Sequence, residues 1–230
     1  MNIYAINITN NLNENLYNQL LSCVDNEKKR KIYNFINHKD AKRALFSDLL
    51  ARCVICEKLG ISNNKIIYEY NEYGKPKIKG NYNFNFNLSH SGDWVVCAED
   101  SVPIGIDIEQ VCKIEYLDIA RRFFTHVEYE SLLNLDDSEK LIGFYKLWTL
   151  KESYIKMLGK GLFMPLNSFS VFEDTNNLGH WDVNRYNIKS CFSNLILDSS
   201  YVIAVCSEKG IYPASISIIN YEYLYKRIFI

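Results

Sequence analysis

Polar and apolar residues alternate without a break from Asn83 to Leu88, with asparagines on one side and Phe84, Phe86 and Leu88 on the other. That period of two predicts a strand with one buried face. The turn Ser-His-Ser-Gly-Asp joins it to a second strand over 94–98. Next comes Ile-Gly-Ile-Asp-Ile-Glu, residues 104–109, which sends Ile104, Ile106 and Ile108 to one face and Gly105, Asp107 and Glu109 to the other. Carboxylates two residues apart on one face sit roughly 6.5–7 Å from each other and repel. Such a face is either solvated or recruited to hold something positive.

The rest of the pattern predicts a first strand over 3–8, a basic helix over 27–36 and a longer helix over 40–59 closed by Gly60. A short strand over 66–70 precedes the turn-like Glu-Tyr-Gly-Lys-Pro. Helices near 117–124, 128–133 and 139–158 and strands at 168–172, 201–206 and 215–219 complete the reading. No pattern is assigned over 176–200. Strands and helices mix without regular βαβ alternation, so the expected fold class is α+β rather than a doubly wound sheet.

Composition narrows the function. The 230 residues are 48% hydrophobic and 23% charged, ordinary for a globular chain of one large domain or two small ones. A net charge of −1 lacks the basic excess of a general nucleic-acid binder. The N-terminus shows no signal-peptide pattern and no run approaches a spanning helix, so the expectation is a cytoplasmic protein without a membrane partner. Seven scattered cysteines suit reduced thiols. Cys53 and Cys56 form a lone CxxC inside an apolar helical pattern, which reads as packing.

Chemistry enters with Trp148, Glu152 and Lys156, spaced four apart on one helix face. Glu152 and Lys156 read either as a surface ion pair or as part of a site with Asp107 and Glu109. Three hard oxygen donors suit Mg²⁺, which keeps waters and completes its shell with substrate phosphates. A phosphate ligand explains the nearby Lys151, Lys156 and Lys160. His90 sits in a Ser-His-Ser-Gly turn, where hydroxyls and amides gather around an anion. Thr125 to Glu128 is a capping box. Gly159 and Gly161 read as a helix C-cap more readily than as a phosphate loop.

Gly74–Pro76 (GKP), Phe86–Trp94 (FNLSHSGDW), Gly105–Glu109 (GIDIE), Phe123–Tyr129 (FFTHVEY) and Leu147–Leu162 (LWTLKESYIKMLGKGL) occur in this order. Together they resemble the surfactin-synthetase-activating type of 4′-phosphopantetheinyl transferase. The resemblance implies a monomer of two similar halves related by pseudo-two-fold symmetry, 1–104 for coenzyme A and 105–230 for metal and carrier docking, with the active site between them. It implies Mg²⁺-dependent transfer of phosphopantetheine from coenzyme A to a carrier-protein serine, releasing 3′,5′-ADP. The carriers served by this type belong to non-ribosomal peptide and polyketide (antibiotic) synthesis, with fatty-acid carriers also in range.

The resemblance also implies roles. Asp107, Glu109 and Glu152 hold the metal, Lys156 stabilises the leaving phosphate, and Glu152, Glu128 or a water takes the serine proton. Coenzyme A is met by Lys28, Lys31, Arg43, Ser89 and His90 at its phosphates, by Lys151 and Lys156, and by Tyr73, Gly74, Lys75 and Pro76 around the adenine. The segment after residue 110 is the natural place for a carrier to dock beside the metal: Tyr116, Leu117 and Ala120, with Arg121 and Arg122 close by, read as an apolar docking strip, or Leu117 and Ala120 at helical spacing simply face the core. Two alternatives remain: a Mg²⁺-dependent phosphohydrolase of nucleotide diphosphates using the same acids, and a non-catalytic coenzyme A or carrier-binding module.

Overall fold

Position 105 has room only for glycine. A Cβ there would stand 2.0 Å from the Ser153 carbonyl oxygen and 2.4 Å from the Met157 amide nitrogen. The strand bearing Asp107 and Glu109 is therefore pressed directly against the helix bearing Glu152 and Lys156, and the rest of the fold serves that contact. The computed structural model describes residues 1–9, 12–173, 180–183, 190–208 and 215–229.

In chain order the N-terminal elements are β1 (Asn2–Asn7), α1 (Glu14–Ser22), α2 (Asn26–Tyr33), α3 (His38–Leu59), β2 (Tyr68–Tyr70), β3 (Pro76–Ile78), β4 (Asn85–Ser91) and β5 (Trp94–Asp100). There follow β6 (Ile104–Gln110), α4 (Tyr116–Phe123), α5 (His126–Leu133), α6 (Asp137–Leu158), β7 (Val171–Glu173) and β8 (His180–Val183). Last come β9 (Cys191–Leu195), β10 (Tyr201–Ser207), β11 (Ile216–Ile218) and α7 (Tyr221–Phe229). One sheet runs β11-β1-β5-β4, a second runs β6-β10-β9-β8-β7, and β2 and β3 form a separate ribbon.

Period-two alternation gives each sheet two apolar faces. Tyr4, Ile6, Val95 and Cys97 pack against Leu45, Phe46, Leu49 and Leu50 of α3. The opposite face, Ile3, Ala5, Val96 and Ala98, meets Ile104, Ile106, Ile108, Ile203 and Val205 of the second sheet. Behind that sheet Val202, Ala204 and Cys206 pack on Leu150 and Tyr154 of α6. The layers are helix, sheet, sheet, helix, and both faces of β6 are covered. The solvated-face reading of β6 is thereby excluded.

The α+β expectation holds, and the strands and helices read from the pattern are present with shifted ends. The basic helix stops at Tyr33, and β7 begins only at Val171. α3 and α6 each span 22 residues and close on left-handed glycines, Gly60 at φ 64° and Gly159 at φ 69°. Cys53 is buried inside α3, where burial pushes its thiol up to about 12. The pattern gave no signal for α1, β3, β8, β9 or α7; part of the unassigned stretch 176–200 lies outside the described residues.

The expected division at 104/105 needs a correction at the far end. β11 pairs in parallel with β1, Ile3 opposite Ile216 and Ala5 opposite Ile218. Tyr221 of α7 lies 5.0 Å from the Phe46 ring and donates its hydroxyl to the Asn7 carbonyl at 3.0 Å. The C-terminal strand and helix thus complete the first sheet, covering an edge of β1 that would otherwise be open. Among the described residues no helix is long and apolar enough to cross a membrane.

Candidate active site

β4 and β6 are edge strands of different sheets, and they meet through side chains. Asn87 Oδ1 accepts the Ile106 N–H at 2.8 Å. Ser89 Oγ donates to Asp107 Oδ1 at 2.8 Å. Ser91 Oγ accepts the Gln110 N–H at 3.0 Å, which leaves its own proton for Glu109 Oε2 at 2.8 Å. These three residues alternate along β4, so its polar row is a zipper that grips the acid-bearing strand. Sequence reasoning put the Ser91 hydroxyl in a turn gathered around an anion and gave Asn87 no role, although the alternation that predicted the strand carried the signal of Asn87.

A pocket of about 680 Å³ opens over this seam, within the usual range for a small-molecule site. Asp107 and Glu109 of β6 and Trp148, Glu152 and Lys156 of α6 line it. Leu88, Ser89 and His90 of β4 line it too, with Lys28, Phe35, Ala44, Ser47 and Pro76. The spacing of four on α6 therefore does place Trp148, Glu152 and Lys156 on one wall.

Lys156 Nζ donates to Asp107 Oδ1 at 2.6 Å and to Ser89 Oγ at 2.9 Å. Asp107 Oδ2 is buried without a hydrogen-bond partner. Burial, and then the Asp107 charge, push the Glu109 carboxyl up to about 7, against the pull of Ser91 and Lys156. Burial followed by Asp107 also raises Glu152, with Lys156 opposing. An orphaned buried oxygen and two acids held above their ordinary range are the marks of a site short of positive charge. The donor chemistry fits a hard divalent cation.

The three expected carboxylates, Asp107, Glu109 and Glu152, all line the pocket but are not drawn together into one cluster. Among the described residues no group of three or more His, Cys, Asp or Glu side chains is placed to hold a metal. The physical reason is visible: Asp107 is held by Lys156 and Ser89, Glu109 by Ser91, and the acids repel one another. Ser89, expected at a phosphate of coenzyme A, has its hydroxyl committed to this acid cluster.

His90 faces the pocket. The surrounding protein desolvates its imidazole and lowers its pKa from 6.5, helped by the Arg43 and Lys156 cations. Arg43 does not line the pocket; its guanidinium holds the Gly92 carbonyl at 2.8 Å and pairs with Asp40. Lys31 is exposed and pairs with Glu27 at 2.8 Å. Of the early cations only Lys28 lines the pocket.

Glu128 and Lys151 are corrected more sharply. Both are buried, and Lys151 Nζ lies 2.6 and 2.7 Å from the two Glu128 oxygens and 2.6 Å from the Phe169 carbonyl. Glu128 also accepts the Val171 N–H and, through the expected capping box, the Thr125 N–H, each at 2.8 Å. Burial lowers Lys151 to about 8 against the attraction of Glu128. Neither side chain lines the pocket with Asp107: the pair is a structural pin joining α5, α6 and β7, so Glu128 is no base and Lys151 no coenzyme A ligand.

The segment expected around the adenine reaches the pocket only at Pro76. Tyr73 packs against Phe163, ring centroids 5.4 Å apart, and Gly74 turns the chain at φ 86°. The Lys75 ammonium is turned away into three carbonyls, those of Ile104, Lys156 and Met157, at 2.9, 2.6 and 3.1 Å. Its side chain is therefore no coenzyme A contact. In the expected docking strip, Ala120 is wholly buried, while Tyr116 and Leu117 pack half-buried against the same core. The strip faces inward because Ala120 and Phe124 fall on the core side of α4; Arg121 and Arg122 stay exposed.

Comparison with known proteins matches the sequence to a family. Residues 11–102 match the family model of the 4′-phosphopantetheinyl transferase N-terminal region, and residues 103–206 that of the 4′-phosphopantetheinyl transferase superfamily. The 4′-phosphopantetheinyl transferase Sfp of Bacillus subtilis (strain 168) is 39% identical over 224 residues, covering 97% of this chain and 100% of its own. The 4′-phosphopantetheinyl transferase gsp of Aneurinibacillus migulanus is 41% identical over 166 residues, 72% of this chain and 69% of its own. A crystal structure of holo-(acyl-carrier-protein) synthase from Bacillus anthracis str. Ames with CoA (3′,5′-ADP) covers 46% of this chain and 93% of its own, at 21% identity and a TM-score of 0.40. With a family model over each half and a relative aligned nearly end to end, the chain belongs to the 4′-phosphopantetheinyl transferase superfamily.

Proposed function

We infer that this enzyme transfers 4′-phosphopantetheine from coenzyme A to a serine hydroxyl of an apo carrier protein and releases 3′,5′-ADP. The observation that carries the reading, beside family membership, is one pocket that Lys28 and His90 line together with Asp107, Glu109, Glu152 and Lys156. Such a pocket receives a ligand with phosphates at two places and reacts at one of them. Two similar halves, each a sheet backed by a 22-residue helix, suit a two-fold-related pair meeting at this pocket. The end of the chain folds back onto the first.

Lys28 and His90 bind the 3′-phosphate. The serine oxygen attacks the β-phosphorus, and the bond to the bridging oxygen breaks as charge grows on the departing α-phosphate. Lys156, already within reach of Asp107, turns its ammonium to that charge. With Glu128 locked in its ion pair, Glu152 is the carboxylate left to take the serine proton, and its raised pKa suits a base. Asp107, Glu109 and Glu152 are the residues that would hold Mg²⁺, which when bound neutralises the pyrophosphate charge. Ser89 and Ser91 keep two of these acids aimed into the pocket. The carriers are those of non-ribosomal peptide, polyketide or fatty-acid synthesis, and the enzyme works as a monomer in the cytoplasm.

The test is the intact mass of an apo carrier protein incubated with enzyme, coenzyme A and Mg²⁺. A gain of one phosphopantetheine is expected. Breakdown of coenzyme A with an unmodified carrier would make the protein a phosphohydrolase, and binding without any product would make it a non-catalytic module.

A further inference from the structure

The Lys75 side chain joins two segments that the chain brings together only in the folded state. Its ammonium donates to Lys156 O at 2.6 Å and Met157 O at 3.1 Å, in the last turn of α6, and to Ile104 O at 2.9 Å, the first residue of β6. Carbonyls in the last turn of a helix have no partner within it, and a cation there also meets the negative end of the helix dipole. Lys75 thus caps the last turn of α6, which carries the lysine whose side chain reaches Asp107, and fastens that turn to the strand bearing Asp107 three residues on.

A second tie runs beside the first. Asn71 Nδ2 donates to Gly159 O at 2.7 Å, while its Oδ1 accepts the Tyr73 and Lys75 N–H groups at 3.0 and 2.8 Å. Asn71 therefore shapes the turn and docks it in the same stroke. Gly159 is the left-handed cap of α6, and a Cβ there would stand 2.9 Å from Asn71 Nδ2 and 3.1 Å from Lys75 Cδ. Any side chain at that residue would press on the Asn71 amide and the Lys75 stem, and its φ of 69° already favours glycine.

We propose that Lys75 is a positioning residue for catalysis: held in place by Asn71, it clamps the end of α6 to the start of β6 and so sets Lys156 against Asp107. This rests on the transferase reading above and goes beyond it. The alternative, that Lys75 contacts the nucleotide directly, makes the opposite kinetic forecast.

The test measures kcat with a recombinant apo carrier domain, Kd for 3′,5′-ADP and melting temperature, for wild type, Lys75→Met and Lys75→Arg. Misplacing a reacting group by about 1 Å costs on the order of 100-fold. Lys75→Met is therefore expected to lose about 10- to 100-fold in kcat, with the 3′,5′-ADP affinity within about twofold of wild type. Lys75→Arg, which keeps the cation on a different fork, should recover part of kcat. Asn71→Ala should lower kcat in the same direction, and its effect should shrink in the Lys75→Met background, as expected for two members of one clamp.

A loss of 3′,5′-ADP affinity with kcat preserved overturns the proposal in favour of a nucleotide contact. A lowered melting temperature with kcat and Kd both intact overturns it in favour of a purely structural tie. If Lys75→Met does not fold, Lys75→Arg and Asn71→Ala give the same kcat-against-Kd split and decide between these outcomes. Wild type that fails to modify the carrier sinks the transferase reading itself, which keeps the two failures distinct.

Discussion

Glu109 and His90 line the same pocket and are displaced from their ordinary titration range in opposite directions, each away from its charged form. Glu109 titrates at about 7 in the folded protein against 4.5 unfolded. Between those values the folded state keeps a proton that the unfolded state releases. Its contribution to stability is therefore full below about 4.5 and lost as pH rises through about 7. A cation on Glu109 reverses the preference, so Mg²⁺ binding near pH 6.5 should release protons and tighten as pH rises to about 7. Calorimetry in buffers of different ionisation enthalpy reads this directly, and a buffer-independent heat would exclude Glu109 as a ligand. His90, with its pKa lowered, is mostly neutral at pH 7 in the free protein. A bound 3′-phosphate favours the imidazolium, so coenzyme A should bind with proton uptake and more tightly as pH falls from 8 to 6. 3′-Dephospho-coenzyme A should show neither effect, and equal pH dependence for both ligands would remove His90 from the 3′-phosphate site.

At the scale of elements, α6 has two working faces. Glu152 and Lys156 look into the pocket, whereas Lys151 looks into the core and pins α5 and β7 through Glu128. Removing one partner of a buried, fully hydrogen-bonded pair strands the other charge, at a cost of about 3–5 kcal/mol. Glu128→Ala should therefore lower stability by that amount in urea unfolding. Any activity it loses should return at temperatures low enough to keep it folded. A stably folded but inactive Glu128→Ala protein would restore Glu128 as a catalytic group. The same close packing makes Gly105→Ala a separation of β6 from α6, since its new Cβ meets helix backbone rather than a movable side chain. That variant should lose melting temperature and transfer together.

For the molecule as a whole, the C-terminal crossing is the feature with mechanical consequence. β11 and α7 bury Ile219, Leu224 and Ile228 against the first sheet and α3. Each such side chain contributes about 1.5–3 kcal/mol when buried. Truncation before residue 215 should cost several kcal/mol, seen as a fall in melting temperature, and weaken coenzyme A binding because α3, on which α7 packs, lines the pocket through Ala44 and Ser47. A truncated protein with unchanged melting temperature would show that the crossing is dispensable. Carrier docking also belongs to this scale. Ala120 is core, so the exposed Arg121 and Arg122 are the groups on α4 able to meet an acidic partner. Reversing both charges to glutamate should raise KM for the carrier while leaving coenzyme A affinity unchanged.

The sequence determined what depends on local spacing. Alternation around Phe84–Leu88 and in 104–109 placed the strands, and steps of four put Trp148, Glu152 and Lys156 on one wall. Thr125 with Glu128 and the glycines 60 and 159 marked helix ends, and five ordered motifs named the family. What only the tertiary structure decided was which neighbour each charged group would meet, because that depends on contacts between residues far apart in the chain. Lys151 and Lys156 lie five apart on one helix, yet one is sealed against Glu128 and the other bonded to Asp107. Lys75 looked like a ligand contact and instead holds three carbonyls, while the Ser91 hydroxyl, read as part of a turn gathered around an anion, orients Glu109. The strand and helix at the C-terminus were invisible as partners of β1, since a parallel pairing across more than 200 residues leaves no periodic trace in either segment.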